Sequence, residues 1–292
     1  MRAIETKELT KYYGKNRGIE NVTLNVSEGD FFGFIGPNGA GKSTTIRTLL
    51  GFLSPTSGTG AVLGRDIVKE HLAVLKDVGY LPSEAAFYNG MRVREILALS
   101  ARLRKTDCLA EGLSLCEKFS LDPDRKVDQL SLGNRKKVGI VCAMQHRPKL
   151  YILDEPTSGL DPLMQQVFYE LLSERNKEGA TVFLSSHVLS EISRYCRHAA
   201  VIREGRIIAA DSVENLGHTG TKKVILRGAS RDPDFPGIRD LVRENDTLRF
   251  LYTGSAPSLV AALNGFPFED LTVADPELDE VFLHFYEGGE TK

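Results

Sequence analysis

The nonapeptide GPNGAGKST, from Gly36 to Thr44, restricts the possible fold of this chain more than any other segment. It fits the pattern G-x-x-x-x-G-K-[ST], in which glycines let the backbone turn tightly and present N–H groups to phosphate oxygens. The apolar run DFFGFIG (30–36) before it is typical of a buried parallel strand, and KSTTIRTLLGF (42–52) after it has helical spacing. A phosphate-binding loop between a strand and a helix predicts an α/β fold whose helix presents its positive end to an anion.

The positions of this loop have predicted roles in holding a nucleotide. Lys42 is expected to reach the β- and γ-phosphates as a point charge, and the Ser43 hydroxyl to bind Mg²⁺. The predicted binding residues of the loop are Gly36, Asn38, Gly39, Ala40, Gly41, Lys42, Ser43 and Thr44.

A second motif, LYILDEPTSGLD from Leu150 to Asp161, places two carboxylates at the end of an apolar run. Ligands in open α/β sheets bind beyond the carboxyl ends of the strands, so Asp154 and Glu155 are expected beside the phosphate loop. Asp154 is suited to hold Mg²⁺ through water, and Glu155 is suited to polarise an attacking water molecule. Acidic turns after buried strands are common on protein surfaces, and only the combination with the phosphate loop indicates phosphoryl transfer.

Further strand patterns alternate with helical ones. LYILD (150–154), TVFLSS (181–186) and the pair AVIRE and RIIAA (200–210) predict strands, the last two as a hairpin joined through Gly205. The interval from about 84 to 148 has helical patterns without strong strand signals. We therefore predict an α/β fold, a P-loop NTPase core over residues 1–212 with a helical subdomain at about 84–148.

The composition changes near residue 212. TKKVILRG, DTLRFLYT and EDLTVAD are strand-like, whereas SLVAALNG and PELDEVFLHFYEG have helical patterns. Residues 213–292 are predicted to form a small C-terminal accessory region, an α+β extension. The same patterns fit a tail that packs on the core as additional secondary structure, and the sequence leaves both possibilities open.

Composition and charge disfavour several other classes of protein. The 292 residues carry 37 Lys and Arg against 39 Asp and Glu, a net charge of −2, whereas nucleic-acid-binding proteins are usually basic. The four cysteines form no C-x-x-C pair, so we expect reduced thiols rather than a zinc or disulfide framework. The first residues lack the apolar core of a secretory signal, and no run approaches the ~18 apolar residues of a membrane helix. Any action at a membrane is therefore expected to depend on docking to another protein.

With these motifs, residues 1 to about 212 resemble the ATP-binding cassette (ABC) ATPases. Gly36 to Thr44 matches the Walker A loop of that family, and Asp154 with Glu155 matches the end of its Walker B strand. Ser158 to Asp161 matches the D-loop, a contact between subunits, and His187 matches the switch histidine that senses the γ-phosphate. The resemblance implies ATP and Mg²⁺ as ligands, Ser43 and Asp154 as metal-binding residues, and a catalytic set of Lys42, Glu155 and His187.

Two further matches concern the remaining faces of the nucleotide. Tyr13 in KYYGK matches the aromatic residue that stacks on adenine, with Tyr12 as the alternative. The segment LSLGN (130–134) matches the signature LSGGQ and keeps Ser131 and Gly133. Ser131 is also a good N-cap for a helix from about 134 to 146, which makes a second anion-binding helix end. The resemblance implies that Ser131 and Gly133 complete the ATP site of a partner subunit, so that two chains make two sites.

This chain departs from the family at three places. Leu132 replaces a glycine of the signature, which restricts the backbone where the γ-phosphate is contacted, and Asn134 replaces its glutamine. Ser83 stands where the family has a glutamine after the strand near GYLP. Downstream, Phe87 and Tyr88 fit a segment that meets the membrane subunit in ABC exporters, and fit a cover over the helical core equally well.

The resemblance implies a subunit that binds and hydrolyses ATP for an ABC transporter of the exporter type. Its expected partners are a separate membrane subunit and a second cassette, in a homodimer or heterodimer, and no nucleic acid. Its expected location is cytoplasmic, peripheral on the cytoplasmic face of the cell membrane. The alternatives are a soluble ABC ATPase acting on ribosomes or nucleic acid, and a regulatory cassette that does not hydrolyse ATP.

Overall fold

The computed structural model describes residues 1–217 and 221–274. The helices, in chain order, are α1 Lys42–Leu49, α2 His71–Asp77, α3 Val93–Arg104, α4 Leu109–Lys118, α5 Leu132–Met144, α6 Pro162–Lys177, α7 Leu189–Tyr195, α8 Val213–Gly217 and α9 Ala256–Leu263. The first ten strands are β1 Arg2–Tyr13, β2 Asn16–Ser27, β3 Phe31–Ile35, β4 Ser57–Val62, β5 Arg65–Asp66, β6 Val78–Leu81, β7 Leu150–Asp154, β8 Thr181–Ser186, β9 His198–Arg203 and β10 Arg206–Ser212. Four more follow, β11 Thr221–Arg227, β12 Ile238–Glu244, β13 Thr247–Thr253 and β14 Asp270–Ala274.

A six-stranded sheet in the order β10-β9-β3-β8-β7-β6 forms the centre of the first part of the chain. Strands β9, β3, β8, β7 and β6 run parallel to one another, which confirms the predicted α/β class. The residues of β3, β7 and β8 are all buried, as expected for parallel strands covered on both faces. Their carboxyl ends lie at one edge of the sheet, where the phosphate loop follows β3 and where Asp154 ends β7 and Glu155 follows it.

A second sheet, in the order β2-β1-β4-β5, lies on the same core as one face of the central sheet. Its strands pair antiparallel, and on β2 the residues Val22, Leu24 and Val26 alternate with exposed ones. One cluster of buried apolar side chains joins both sheets to α1, whose residues Ile46 and Leu49 are fully buried. The phosphate loop is thus followed by a helix that is packed between two sheets.

The bounds of α1 correct the predicted helix 42–52, because α1 ends at Leu49. Gly51 adopts a positive φ of 72°, which favours glycine and ends the helix. The predicted hairpin is present as β9 and β10, which are neighbours in the sheet and are joined by Glu204 and Gly205.

Three helices, α3 to α5, lie between β6 and β7 in the chain, as the helical patterns predict. Helix α3 begins with the Glu95 carboxylate accepting from the backbone N–H of Arg92 at 2.7 Å. Helix α5 begins at Leu132 and not at Asn134, and the Ser131 hydroxyl caps it by accepting from the Asn134 N–H at 3.3 Å. The prediction of Ser131 as the N-cap is therefore confirmed.

The chain divides into two compact units, and the second begins at Ser212. Strands β12, β13, β11 and β14 form an antiparallel sheet in that order, and α9 shares its apolar cluster through Leu259 and Leu263. The sequence analysis did not predict β12, because charged residues interrupt its apolar positions. In the structure six of its seven residues are exposed. The predicted closing helix PELDEVFLHFYEG lies outside the described residues.

No helix in the described part of the chain is long and apolar enough to cross a membrane.

Candidate functional site

A cleft of about 350 Å³ opens at the carboxyl edge of the central sheet. Its walls are formed by Tyr13, by most of the phosphate loop, by Ser83 and by Glu155. Tyr13 is the last residue of β1, and the other residues come after the strands β3, β6 and β7. The parallel arrangement of β3, β7 and β6 therefore brings together side chains that are far apart in the sequence.

The phosphate loop bends through two glycines with positive φ, Gly39 at 80° and Gly41 at 112°. Gly41 is the residue at which the loop passes into α1, and a Cβ there would lie 2.9 Å from an Ile19 side-chain carbon. Only glycine meets both conditions without strain. Lys42, Ser43 and Thr44 then occupy the first turn of α1, where backbone N–H groups are free to meet an anion.

Lys42 is almost fully buried in the floor of this loop, with 6% of its surface exposed. Its ammonium donates to the carbonyl oxygens of Gly36 at 2.6 Å and Pro37 at 3.2 Å. It also lies 3.1 Å from Glu155 Oε1. Lys42 of the phosphate loop and Glu155 after β7 are therefore in direct contact.

Glu155 lies between two catalytic candidates. Its second carboxylate oxygen, Oε2, is 2.6 Å from Nδ1 of His187, whose ring is half exposed. Its backbone has a positive φ of 49°, and its N–H donates to both Ser185 oxygens at 3.2 Å. A non-glycine residue in this conformation is held by its surroundings, as is common at functional sites. The structure brings Lys42, Glu155 and His187 together in one chain of contacts.

Asp154 occupies the last position of β7 and is 1% exposed. The Ser185 hydroxyl donates to its Oδ1 at 2.6 Å, while Oδ2 is buried with no hydrogen-bond partner among the described residues. A buried carboxylate oxygen without a partner is costly unless it binds something else. This oxygen is therefore a suitable ligand for a cation or for a cation-bound water.

The signature residues Ser131 and Gly133 do not line the cleft in the described part of this chain. Gly133 lies against the D-loop, and a Cβ there would be 2.7 Å from the Gly159 carbonyl oxygen. The Leu132 side chain is 74% exposed and lies at the surface beside the D-loop, with its Cδ2 3.9 Å from where a Cβ on Gly159 would be. The capped end of α5 is thus presented outward, away from the phosphate loop of its own chain.

The two tyrosines of KYYGK are in different positions. Tyr13 lines the cleft, with its hydroxyl 3.5 Å from Thr44 Oγ1, and its ring passes close to Gly18. Tyr12 is not part of that wall. Its hydroxyl is bonded to Glu20, whose pKa is lowered mainly by the hydrogen bond from Arg206 and further by this tyrosine. Of the two tyrosines, Tyr13 is the one whose ring could contact the base of a nucleotide in the cleft.

Several polar residues support the site although the sequence analysis did not single them out. Ser185 and Ser186, the last residues of β8, bond to carboxylates, and two serines closing an apolar strand are a signal that the sequence does contain.

Lys136 is 4% exposed and donates to the carbonyl oxygens of Pro82 and Ser83 at 3.2 and 2.9 Å. Burial lowers its pKa to about 8, against the attraction of Asp154 and Glu155. Nothing in the sequence indicates that this lysine is buried.

Comparisons with known proteins agree with this geometry. A family model described as ABC transporter matches residues 19–158. The bacitracin transport ATP-binding protein BcrA of Bacillus licheniformis is 38% identical over 98% of this chain and 98% of its own length. YbhF of Escherichia coli, a probable multidrug ABC transporter ATP-binding protein, is 32% identical over 73% of this chain and 38% of its own. These transporter names do not favour the ribosomal or nucleic-acid alternative.

A solved ATP-binding subunit of an ABC transporter has the same fold as the first part of this chain. It superposes with a TM-score of 0.69 at 32% sequence identity, covering 73% of this chain and 91% of that structure.

Proposed function

Because this chain belongs to the ATP-binding proteins of ABC transporters, which are ATPases, we propose that its phosphate-loop cleft binds Mg-ATP and that Glu155 directs the hydrolysis. The observation that carries this proposal is the contact of Glu155 with Lys42 on one side and His187 on the other. Phosphoryl transfer depends mainly on positioning and on stabilisation of charge, and these contacts supply both at the mouth of the phosphate loop.

The chemistry assigns one task to each residue. Lys42 neutralises charge on the β- and γ-phosphates, beside the N–H groups of Gly36, Asn38, Gly39, Ala40 and Gly41. Glu155 orients the attacking water, since its Oε2 is held by His187 Nδ1 at 2.6 Å and its Oε1 lies 3.1 Å from the Lys42 ammonium. His187 uses Nδ1 to hold Glu155, which leaves Nε2 as the ring atom that meets the γ-phosphate.

The metal and the base of the nucleotide have candidate ligands of their own. Ser43 and Asp154 would hold Mg²⁺, because Asp154 Oδ2 is a buried oxygen with no partner among the described residues. A Mg²⁺ ion held by these residues would supply positive charge that offsets the negative charge of the phosphates. Tyr13 would stack on adenine, since its ring is 45% exposed and lies at the rim of the cleft.

The position of Ser131 and Gly133 argues for assembly of two cassettes. Both residues are outside the cleft of their own chain, at a helix end that is capped and faces outward. We propose that this end meets the γ-phosphate bound by a second cassette, so that ATP closes a homodimer or heterodimer and hydrolysis reopens it.

The transport step is proposed from the relatives and from one surface feature. BcrA and YbhF carry bacitracin and multidrug transport in their names, which supports an exporter. The 72% exposed Tyr88, beside half-buried Phe87, would contribute to docking on a separate membrane subunit at the cytoplasmic face.

Substitution of Glu155 by Gln tests the proposal. We expect ATP to bind normally while turnover falls by a factor of about 10² or more, because the amide cannot act as a general base. Lys42→Ala should instead weaken ATP binding. The measurements are steady-state phosphate release at saturating Mg-ATP and the dissociation constant for a fluorescent ATP analogue.

The same Glu155→Gln protein tests assembly. It should elute as a dimer with ATP and as a smaller species without nucleotide. Parental turnover would refute the role of Glu155, and identical elution with ATP bound would refute ATP-driven pairing.

A further inference from the structure

The carboxylate of Glu191 lies between the two loops that carry the proposed catalytic pair. Its Oε1 accepts from the Thr157 hydroxyl at 2.6 Å, and its Oε2 accepts from the Ser186 hydroxyl at 2.8 Å. Thr157 is two residues after Glu155, and Ser186 directly precedes His187. One side chain therefore joins the loop of the glutamate to the loop of the histidine.

Both hydrogen bonds are well placed to resist movement. Thr157 is 7% exposed and Ser186 is 1% exposed, so water has little access to compete for them. Each bond is charge-assisted, since a hydroxyl donates to an ionised carboxylate, and such bonds are shorter and stronger than neutral ones.

Glu191 is itself held in place by the fold. It lies in the first turn of α7, and the next residue of that helix, Ile192, is fully buried. A Cβ on Gly33 would be only 2.8 Å from an Ile192 side-chain carbon, so α7 packs directly on the backbone of β3. The carboxylate is thus fixed relative to the strand that leads into the phosphate loop.

The Ser186 hydroxyl has a second role in this arrangement. While donating to Glu191, its oxygen accepts from the backbone N–H of Val188 at 2.9 Å. This bond joins the residues before and after His187 and so closes the turn that contains the histidine. A displacement of Glu191 would loosen this turn and the 2.6 Å contact between His187 Nδ1 and Glu155 Oε2.

We propose that Glu191 is a positioning residue for ATP hydrolysis, which holds the Glu155 and His187 loops at the separation that catalysis requires. The proposal rests on the proposed roles of Glu155 and His187. Glu191 is not part of the cleft wall among the described residues, so it acts through these two residues and not on the nucleotide.

The first test compares Glu191→Ala with the parent protein. We expect kcat to fall by about 10-fold to 100-fold, because small misplacements of catalytic groups cost rates of this order. The dissociation constant for a fluorescent ATP analogue should stay within about threefold, because the groups of the phosphate loop are untouched. Glu170→Ala is the matched control, since Glu170 is exposed, accepts from exposed Gln166 on α6 and should keep parental kcat.

The second test uses a double-mutant cycle with His187→Ala. If Glu191 acts through His187, Glu191→Ala should cost much less in the His187→Ala background than in the parent. A purely structural role would cost the same in both backgrounds, and would lower the melting temperature and ATP binding together.

Two variants keep the proposal testable if Glu191→Ala does not fold. Thr157→Val and Ser186→Ala each remove one hydroxyl that donates to the carboxylate, and each should lower kcat without changing the dissociation constant for ATP. If Thr157→Val and Ser186→Ala both keep the parental kcat, or if Glu191→Ala keeps it, the proposed role of Glu191 is wrong. Glu155→Gln measured in parallel separates the proposal for Glu191 from the proposed catalytic site. If Glu155→Gln turns over ATP at the parental rate, the proposed catalytic site itself is refuted.

Discussion

At the scale of single residues, Ser83 is one of the positions where this chain departs from the family pattern of the ABC ATPases. Its side chain lines the nucleotide cleft, and its backbone carbonyl accepts from Lys136. Serine is shorter than the family's glutamine by two bonds, so at ~1.5 Å per bond its hydroxyl falls roughly 2–3 Å short of the glutamine's reach. That gap is about one water molecule wide, and a bridging water carries such a contact at little cost.

We therefore predict that Ser83→Ala lowers kcat by less than about tenfold, since one neutral hydrogen bond contributes roughly 0.5–1.5 kcal/mol. Ser83→Gln should be tolerated. Steady-state ATPase assays with the membrane partner present provide the measurement, with Glu155→Gln as the reference for a catalytic loss. A defect in Ser83→Ala as deep as that of the reference would place Ser83 among the catalytic residues.

At the scale of elements, Lys136 joins α5 to the end of β6 and carries an energetic cost. Its pKa is lowered to about 8 by burial, whereas an unfolded lysine titrates near 10.4. Between these two values the unfolded chain binds a proton that the native state has released. The free energy of unfolding should therefore rise with pH in this window through this group, by at most about 3 kcal/mol. Below pH 8 both states carry the charge, and the full cost of burying it is present.

Lys136→Met should remove this contribution. We predict that the stability of the parent relative to the variant increases between pH 7.5 and pH 10, because only the parent has a buried ammonium to neutralise. Urea unfolding at the two pH values measures the difference, and groups that titrate in both proteins cancel. Lys118→Met, an exposed position on α4, is the control. Parallel pH profiles for the parent and Lys136→Met would show that burial does not shift this lysine.

At the scale of the whole molecule, each of the two units has an apolar cluster of its own. The first includes Phe34 and Ile46 from the central sheet and α1, and the second includes Val224 and Phe250 from the antiparallel sheet. The phosphate loop, Glu155 and His187 all belong to the first unit. A boundary at Asp211 keeps β10 almost complete at the edge of the central sheet.

We predict that a chain ending at Asp211 folds and binds ATP with parental affinity. A chain ending at Arg203 loses the edge strand β10 and should be less stable, which makes it the matched comparison. Thermal unfolding by circular dichroism and binding of a fluorescent ATP analogue test both chains. An insoluble 1–211 chain would show that the second unit completes the core of the first.

The sequence alone was sufficient wherever a local pattern states both a conformation and a chemistry. The segment from Gly36 to Thr44 and the apolar run before it predicted a strand, a turn and a helix. The glycine spacing, the lysine and the apolar run are all compatible with the same backbone conformation. The carboxylates at the end of β7 and the Ser131 cap were predicted for the same reason. Resemblance to a family then supplied the proposed role of His187, which a lone histidine after a strand does not indicate by itself.

The tertiary structure decided what depends on contacts between distant segments. Burial of Lys136 and the two bonds of Glu191 arise because parallel pairing places the ends of β6, β7 and β8 side by side. The exposed strand β12 depends on pairing with β13, since its own side chains are mostly solvated. A sequence records which residues are polar, but the free energy of burying or pairing them is determined by partners that only the folded chain brings together.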